Sequence, residues 1–325
     1  MDRRSFLRLT SVSLGIGTLY SVAPAALINA EAAAFFRDNG KRSGEQVKPF
    51  SFVQLSDTHV GFNGPPDPIG AKPFERAVEV INAMPSPPEL AIFTGDLTHD
   101  TEKPGEHTQR MQQFKEIAAK MRVQKTVMVP GEHDAGLDAG KLFREHFGET
   151  HYSFDHRGVH FVAIDNVSRA KPEVGAEQIA WLKQDLARFD KSSPIVVFTH
   201  RPLFDLKPEW EWFTSDGDDV MNVISPFENA TVLYGHIHRD DDHTIGHTHH
   251  VAARSLCFAF PDPATTADKK PLPFDKDQPF KNVGIREVAV NAKAKSPLQI
   301  HEVALNLKET GGVNGMQQML KAVEF

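Results

Sequence analysis

A chain of 325 residues with a single cysteine, Cys257, can form no disulfide within itself. Its fold must rest on a buried core, and a hydrophobic share of 40% is ordinary for a soluble globular protein. One cysteine says little about redox compartment. Positive charge is also short: Lys and Arg total 36 against 43 Asp and Glu, a formal charge of −7. That balance argues against the broad basic face that non-specific nucleic-acid binding needs. Beyond the first thirty residues no apolar run is long enough to span a bilayer. There is no internal repeat and no low-complexity tract. What is present in excess is histidine, at 16.

The first thirty residues read as a separate unit. "MDRRSFLRLT" sets Arg3 and Arg4 before a mildly apolar stretch, with small residues at Ala23, Ala25 and Ala30 as cleavage points. This resembles a twin-arginine export signal, although Asp2 stands where such signals usually carry Ser or Thr. The alternative is a plain secretory signal or an uncleaved anchor helix. The resemblance implies the twin-arginine export machinery as a partner and a periplasmic or secreted destination. Residues 31–49 read as a polar linker, 50–310 as one domain and 311–325 as a tail.

Within the domain, apolar strands alternate with helices. "FSFVQLS", "ELAIFTGD", "KTVMVPGEHD", "PIVVFTH" and "ATVLYGHIH" are each a short apolar run that empties into a polar loop. Helical spacing appears in "KPFERAVEVINAM", "QRMQQFKEIAAKM" and "GAEQIAWLKQDLARF". "HYSFDHRGVHFVAID" predicts a hairpin turning at Arg157-Gly158, and a period near two after Val283 predicts closing strands. Residues 261–282, rich in Pro, Asp and Lys, predict a surface excursion. The five strand ends carry Asp57 and His59, Asp96, Glu132 and His133, His200, and His236 and His238. In α/β sheets ligands collect beyond the carboxyl ends of strands, so one edge can gather residues far apart in sequence.

Phosphoester hydrolysis with two metals needs a bridging carboxylate, His and Asp ligands, and a proton donor for the leaving oxygen. "SDTHV", "TGDLTHD", "PGEHDAG", "VVFTHRPL" and "YGHIHRD" supply those residue types in order. The series resembles the calcineurin-like metallophosphoesterase superfamily, over Phe50 to Arg239. The D-x-H start looks more like its class III phosphodiesterase branch than like purple acid phosphatases. The resemblance implies an α/β fold, a four-layer α/β/β/α sandwich with two mixed sheets and a dinuclear centre of manganese, iron or zinc at the strand ends. It implies Asp57, His59 and His238 on the first metal, Asp96 bridging, and His200, His236 and Glu132 on the second. His133 would protonate the leaving group, held by Asp134, while hydroxide between the metals attacks. The function implied is an exported phosphoric ester hydrolase acting on a phosphodiester. A phosphomonoesterase and a non-catalytic metal-bearing binding module are the alternatives.

Several residues carry two readings. Gly246-His247-Thr248-His249 spells a second G-H-x-H, but the first copy is delivered by the apolar "ATVLY" and is preferred. His243, His247, His249 and His250 then read mostly as surface. His99 lines the substrate site or is a polar loop residue, and Arg201 contacts substrate phosphate or forms an ion pair. Trp210 and Trp212 cap the site or pack on the core edge. Glu132 is the anomaly, because the family pattern has a neutral Asn there. A carboxylate still suits hard ions, and its extra charge would weaken the metals as Lewis acids and repel phosphate. Otherwise it swings away from the metal.

Overall fold

The computed structural model describes residues 47–103, 105–291 and 297–306. The proposed export signal, including Arg3 and Arg4, and the proposed tail lie outside the described residues. The elements run β1 (Phe50–Leu55), α1 (Lys72–Asn82), β2 (Leu90–Phe93), α2 (Glu106–Ala118), β3 (Lys125–Met128), α3 (Glu132–Ala135) and α4 (Lys141–Phe147). There follow β4 (Tyr152–His156), β5 (Val159–Ala163), α5 (Ala176–Leu186), β6 (Pro194–Phe198), α6 (Gly217–Ile224) and β7 (Asn229–Tyr234). The strands β8 (Asp241–Ile245), β9 (Thr248–Ala252), β10 (Gly284–Val290) and β11 (Leu298–Ala304) close the series.

The strands form two mixed sheets, ordered β11-β10-β1-β2-β3 and β4-β5-β6-β7-β9-β8. Alternation along the strands decides the layering, because successive side chains leave opposite faces. Phe52 of β1 and Val196 and Phe198 of β6 join one apolar cluster with Ile92, Phe161 and Val288, which is the contact between the sheets. Val53 and Leu55 point the other way, onto Phe74, Ala77 and Ile81 of α1 and Phe114 of α2. Ile195 and Val197 pack on Leu182 and Leu186 of α5 and Val220 of α6. Helices therefore cover both outer faces, giving the expected α/β/β/α sandwich. Strand pairs β1–β2, β2–β3 and β6–β7 are parallel. Their carboxyl ends therefore point the same way within each sheet. Residues 261–282 hold no helix or strand.

One buried charge cluster stands apart from those strand ends. His160 of β5 is buried, and its Nδ1 and Nε2 each lie 2.7 Å from a carboxylate, of Asp155 and of Asp185. Both ring nitrogens donate, which describes an imidazolium. Burial opposes the charge, but the two carboxylates outweigh it and raise the His160 pKa. Burial likewise opposes ionisation of Asp185, yet His160 holds it below the usual range. The sign follows from linkage. The His160 contribution is complete below its unfolded pKa of about 6.5 and is lost as pH rises through the raised folded value. The Asp185 contribution is present above about 3.8 and is lost as pH falls below it. His160→Gln should therefore destabilise most between those limits, by roughly 3–5 kcal/mol for a broken buried pair. Urea unfolding at about pH 5.5 and about pH 8.5 checks this. An equal cost at both would mean that His160 is neutral when buried.

Candidate metal centre

Five loops meet where the two sheets' parallel edges face each other. Asp57 and His59 follow β1, Asp96 follows β2, and Glu132 and His133 open α3 after β3. His200 follows β6, and His236 and His238 follow β7. Past the strands the first two loops stay knitted together: Asp57 N–H donates to the Gly95 carbonyl at 3.0 Å and His59 N–H to that of Asp96 at 2.9 Å.

The backbone is strained at these residues. Asp57, His59, Asp96, His236 and His238 have φ of 53°, 40°, 49°, 66° and 51°. L-residues rarely adopt that region, at a cost of order 1–3 kcal/mol each. Only four other non-glycine residues among those described do so, and one of them, Glu211, also touches the site. Strain gathered this way marks a geometry imposed for function rather than for packing. Two glycines explain how the loops come so close. A Cβ on Gly131 would collide with the Asp96 carboxylate, and one on Gly235 with Ser56 Oγ.

Three groups of ligand atoms result among the described residues, one of them His59, His99 and His133. The other two are the expected ones, Asp57, His59, Asp96 and His238, and Glu132, His200 and His236. Asp96 Oδ2 joins them, lying 3.4 Å from both His59 Nε2 and His200 Nε2. Its Oδ1 accepts the His133 N–H at 3.0 Å. The structure thus brings together all seven residues expected to hold metal.

The chemistry of these donors suits cations. His238 Nδ1 donates to the Phe258 carbonyl at 2.8 Å, His200 Nδ1 to that of Thr94 at 2.7 Å, and His236 Nε2 to that of Glu211 at 3.1 Å. A carbonyl only accepts, so each bond fixes a tautomer and leaves the opposite nitrogen as a lone pair. Those lone pairs face carboxylates and one another. His59 Nε2 and His238 Nε2 are 3.0 Å apart. His200 Nε2 and Glu132 Oε2, 2.7 Å apart, are both buried without a hydrogen bond. Acceptors packed this closely need a positive charge between them, a proton or a metal ion. Burial opposes charge on His200, yet Asp96 and Glu132 raise its pKa well above the ordinary value. Burial keeps His59, His236 and His238 uncharged, with His238 down at about 3. Burial also pushes Asp57 up to about 8, a penalty that a bound cation removes.

Around the ligands one residue departs from expectation and two take one of the two places expected of them. Asp134 does not hold His133. Its Oδ2 accepts from Leu97 N–H and Gly131 N–H, and its Oδ1 from Thr98 N–H and Thr98 Oγ1, all at 2.9 Å. It is a strut between the loops after β2 and β3, and this need for a buried acceptor is what places it there. Asp100 instead bonds His133 Nδ1. That residue closes the quoted "TGDLTHD", and its acidity four places after Asp96 was the available signal. Burial disfavours charge on His133, but Asp96 and then Asp100 outweigh it and raise its pKa to about 9. His99 stacks on His133, ring centroids 4.6 Å apart, and its Nδ1 lies 3.5 Å from His59 Nδ1. It borders the first metal group rather than standing free in a loop. Arg201 forms the ion pair, with Nη2 at 3.3 Å from Glu132 Oε1, and donates from Nη1 to the Glu211 carbonyl at 2.8 Å. Main-chain Glu211 had no sequence signal.

Other histidines and aromatics are sorted by burial. The second G-H-x-H sits in the β8–β9 hairpin, where His249 pairs with Asp242 at 2.6 Å. His250, expected at the surface, is fully buried against Phe204, because β9 lies inside its sheet. Trp210 and Trp212 are buried with Tyr234 and Ile237. The rim is formed by half-buried Phe62, Phe258 and Phe260, with Phe258 at 4.5 Å from His238 between ring centroids. Beside Phe258 a cavity of about 590 Å³ opens against Pro66, Leu272 and Pro273.

The chain is similar to known proteins in sequence and in fold. A family model described as calcineurin-like phosphoesterase matches residues 50–240. A 3',5'-cyclic-nucleotide phosphodiesterase of Nostoc sp. is 23% identical over 227 residues, covering 67% of this chain and 82% of that protein. Serine/threonine-protein phosphatase CPPED1 of Danio rerio is 29% identical over 222 residues, covering 59% and 71%. Among solved structures, a purple acid phosphatase from yellow lupin superposes with a TM-score of 0.59 at 14% identity. The match covers 81% of this chain but only 52% of the lupin protein. A dimetal phosphatase from Danio rerio gives 0.51 at 12% identity, covering 80% and 100%. At such identities the structural likeness is one of fold.

Proposed function

We propose, since the chain belongs to the calcineurin-like phosphoesterase family, that it is an exported phosphodiesterase of the class III type with His133 as its general acid. The observation that carries the reading is the pair of ligand groups sharing Asp96 Oδ2, with a histidine–carboxylate pair at their edge. Two metal ions held there would supply Lewis-acid polarisation of the phosphoryl group and make water nucleophilic at neutral pH. Asp57, His59 and His238 would hold one, Glu132, His200 and His236 the other, and Asp96 would serve both.

His133 does the proton work in this reading. Asp100 takes Nδ1–H and orients the ring, so Nε2 is left to protonate the leaving oxygen. The preference for diesters rests on charge. A monoester dianion carries one more charge than a diester, and among the described residues the arginines near the centre already face carboxylates. Arg201 pairs with Glu132, Arg110 with Glu106, Arg239 with Asp262, and Lys269 donates to the Trp210 carbonyl. A monoesterase reading has its support in the relative named a serine/threonine-protein phosphatase.

A panel of mono- and diesters with the metal-loaded protein tests both readings. His133→Ala should slow esters with poor leaving groups by about 10²–10⁴-fold and spare activated aryl esters. Equal slowing of both would remove His133 from the acid role, and faster turnover of monoesters would reverse the substrate preference.

Export is a separate part of the proposal, supported by Arg3 and Arg4 before a weakly apolar stretch. Twin-arginine export moves folded proteins, so metal would be loaded before transport. Changing both arginines to Lys should leave the folded protein inside the cell. Unchanged periplasmic accumulation of that variant would favour a plain secretory signal or an anchor.

A further inference from the structure

We propose that Arg201 is a positioning residue that neutralises Glu132, so that the two together serve the second metal position as a ligand without net charge. The inference rests on the dinuclear reading above and deepens it.

The two oxygens of Glu132 have different partners. Oε2 faces His200 Nε2 at 2.7 Å, and neither atom has a hydrogen bond. Oε1 lies 3.3 Å from Arg201 Nη2 and 2.8 Å from His236 Nδ1. One oxygen is thus left for a metal while the other meets a guanidinium. Without Arg201, the carboxylates of Asp57, Asp96 and Glu132 would all press negative charge on the centre.

Arg201 is built into this place. It is 9% exposed, so its charge has little water to turn to. Its N–H reaches Asn166 Oδ1 at 3.3 Å, and its carbonyl accepts from Asn166 Nδ2 at 3.0 Å. The Glu211 carbonyl, set by a left-handed φ of 61°, accepts from both Arg201 Nη1 and His236 Nε2. One main-chain oxygen therefore fixes the guanidinium and a ligand of the same metal. A buried arginine that was spare would need another anion, and Glu132 is the anion it meets. The charge that made Glu132 an anomaly in the sequence is cancelled 3.3 Å away.

The test is a double-mutant cycle read by metal content, independent of turnover. Metal-stripped wild type, R201Q, E132N, E132N/R201Q and R201K are dialysed against graded manganese, and bound metal is counted by elemental analysis. R201Q should tighten the weaker metal position by roughly tenfold or more, since a positive charge has left its surroundings. E132N should loosen it by at least roughly tenfold, because Arg201 then stands uncompensated beside the ion. The double variant should return to within about threefold of wild type, and R201K, which keeps the charge, should stay near it. If R201Q fails to fold, E132N and R201K still decide the matter. Unchanged affinity in R201Q with a raised KM would overturn the proposal and make Arg201 a substrate contact, through its buried, unpaired Nε. Unchanged affinity in E132N, or R201K behaving as R201Q, would overturn it as well. A wild type that binds one metal only would instead count against the dinuclear reading.

Discussion

Asp96→Asn should yield a folded protein that holds fewer than two metals per chain and turns over phosphoesters at least about 10³-fold more slowly. Asn tolerates the left-handed backbone at this position, φ 49°, and keeps an oxygen for the His133 N–H. What it loses is the charge at Oδ2, the atom 3.4 Å from a histidine of each ligand group. Changes to residues that merely support a ligand cost roughly 10–100-fold. A ligand shared by both positions should exceed that. Elemental analysis and kcat on one preparation check the result, and two retained metals with full turnover would exclude Asp96 from the centre.

The second large effect is on stability. Asp134→Ala should cost about 4 kcal/mol, because three buried N–H groups, of Leu97, Thr98 and Gly131, lose their acceptor at roughly 1–3 kcal/mol each. That corresponds to a Tm lower by roughly 10 °C for a domain of this size. Metal should leave the second position too, since the freed turn carries Glu132. Denaturant unfolding of the metal-stripped forms separates the two losses. A cost below about 1 kcal/mol would mean that water replaces the carboxylate.

The candidate ligands were legible in the sequence because each lies directly after an apolar strand, while their assignment to two metals came from the family resemblance. The sandwich itself came from the family resemblance, and the structure bears it out because the strands' two apolar faces demand cover on both sides. Roles among neighbours were not legible. Asp134 and Asp100 are both acidic and both near His133, and only the fold decides that one faces three N–H groups while the other faces the ring. Arg201 could have reached outward or inward, and the choice depended on Glu132, from the other sheet. His250 looked like a surface residue because β8 and β9 alternate like a solvated hairpin. The insertion of β9 between β7 and β8 is a long-range pairing that no local pattern records.

The division of ligands between the sheets has a consequence in time. Asp57, His59, Asp96 and Glu132 hang from the first sheet, and His200, His236 and His238 from the second. Each ion position takes donors from both. A chain still being synthesised lacks a donor for either position, His238 for one and His236 for the other, until the strand that ends at Tyr234 has emerged and docked. Metal capture is therefore a late event, made by a nearly finished protein rather than by a growing one. Once captured, each ion would act as a clasp across the sandwich, and opening the two sheets would mean giving up the ions first.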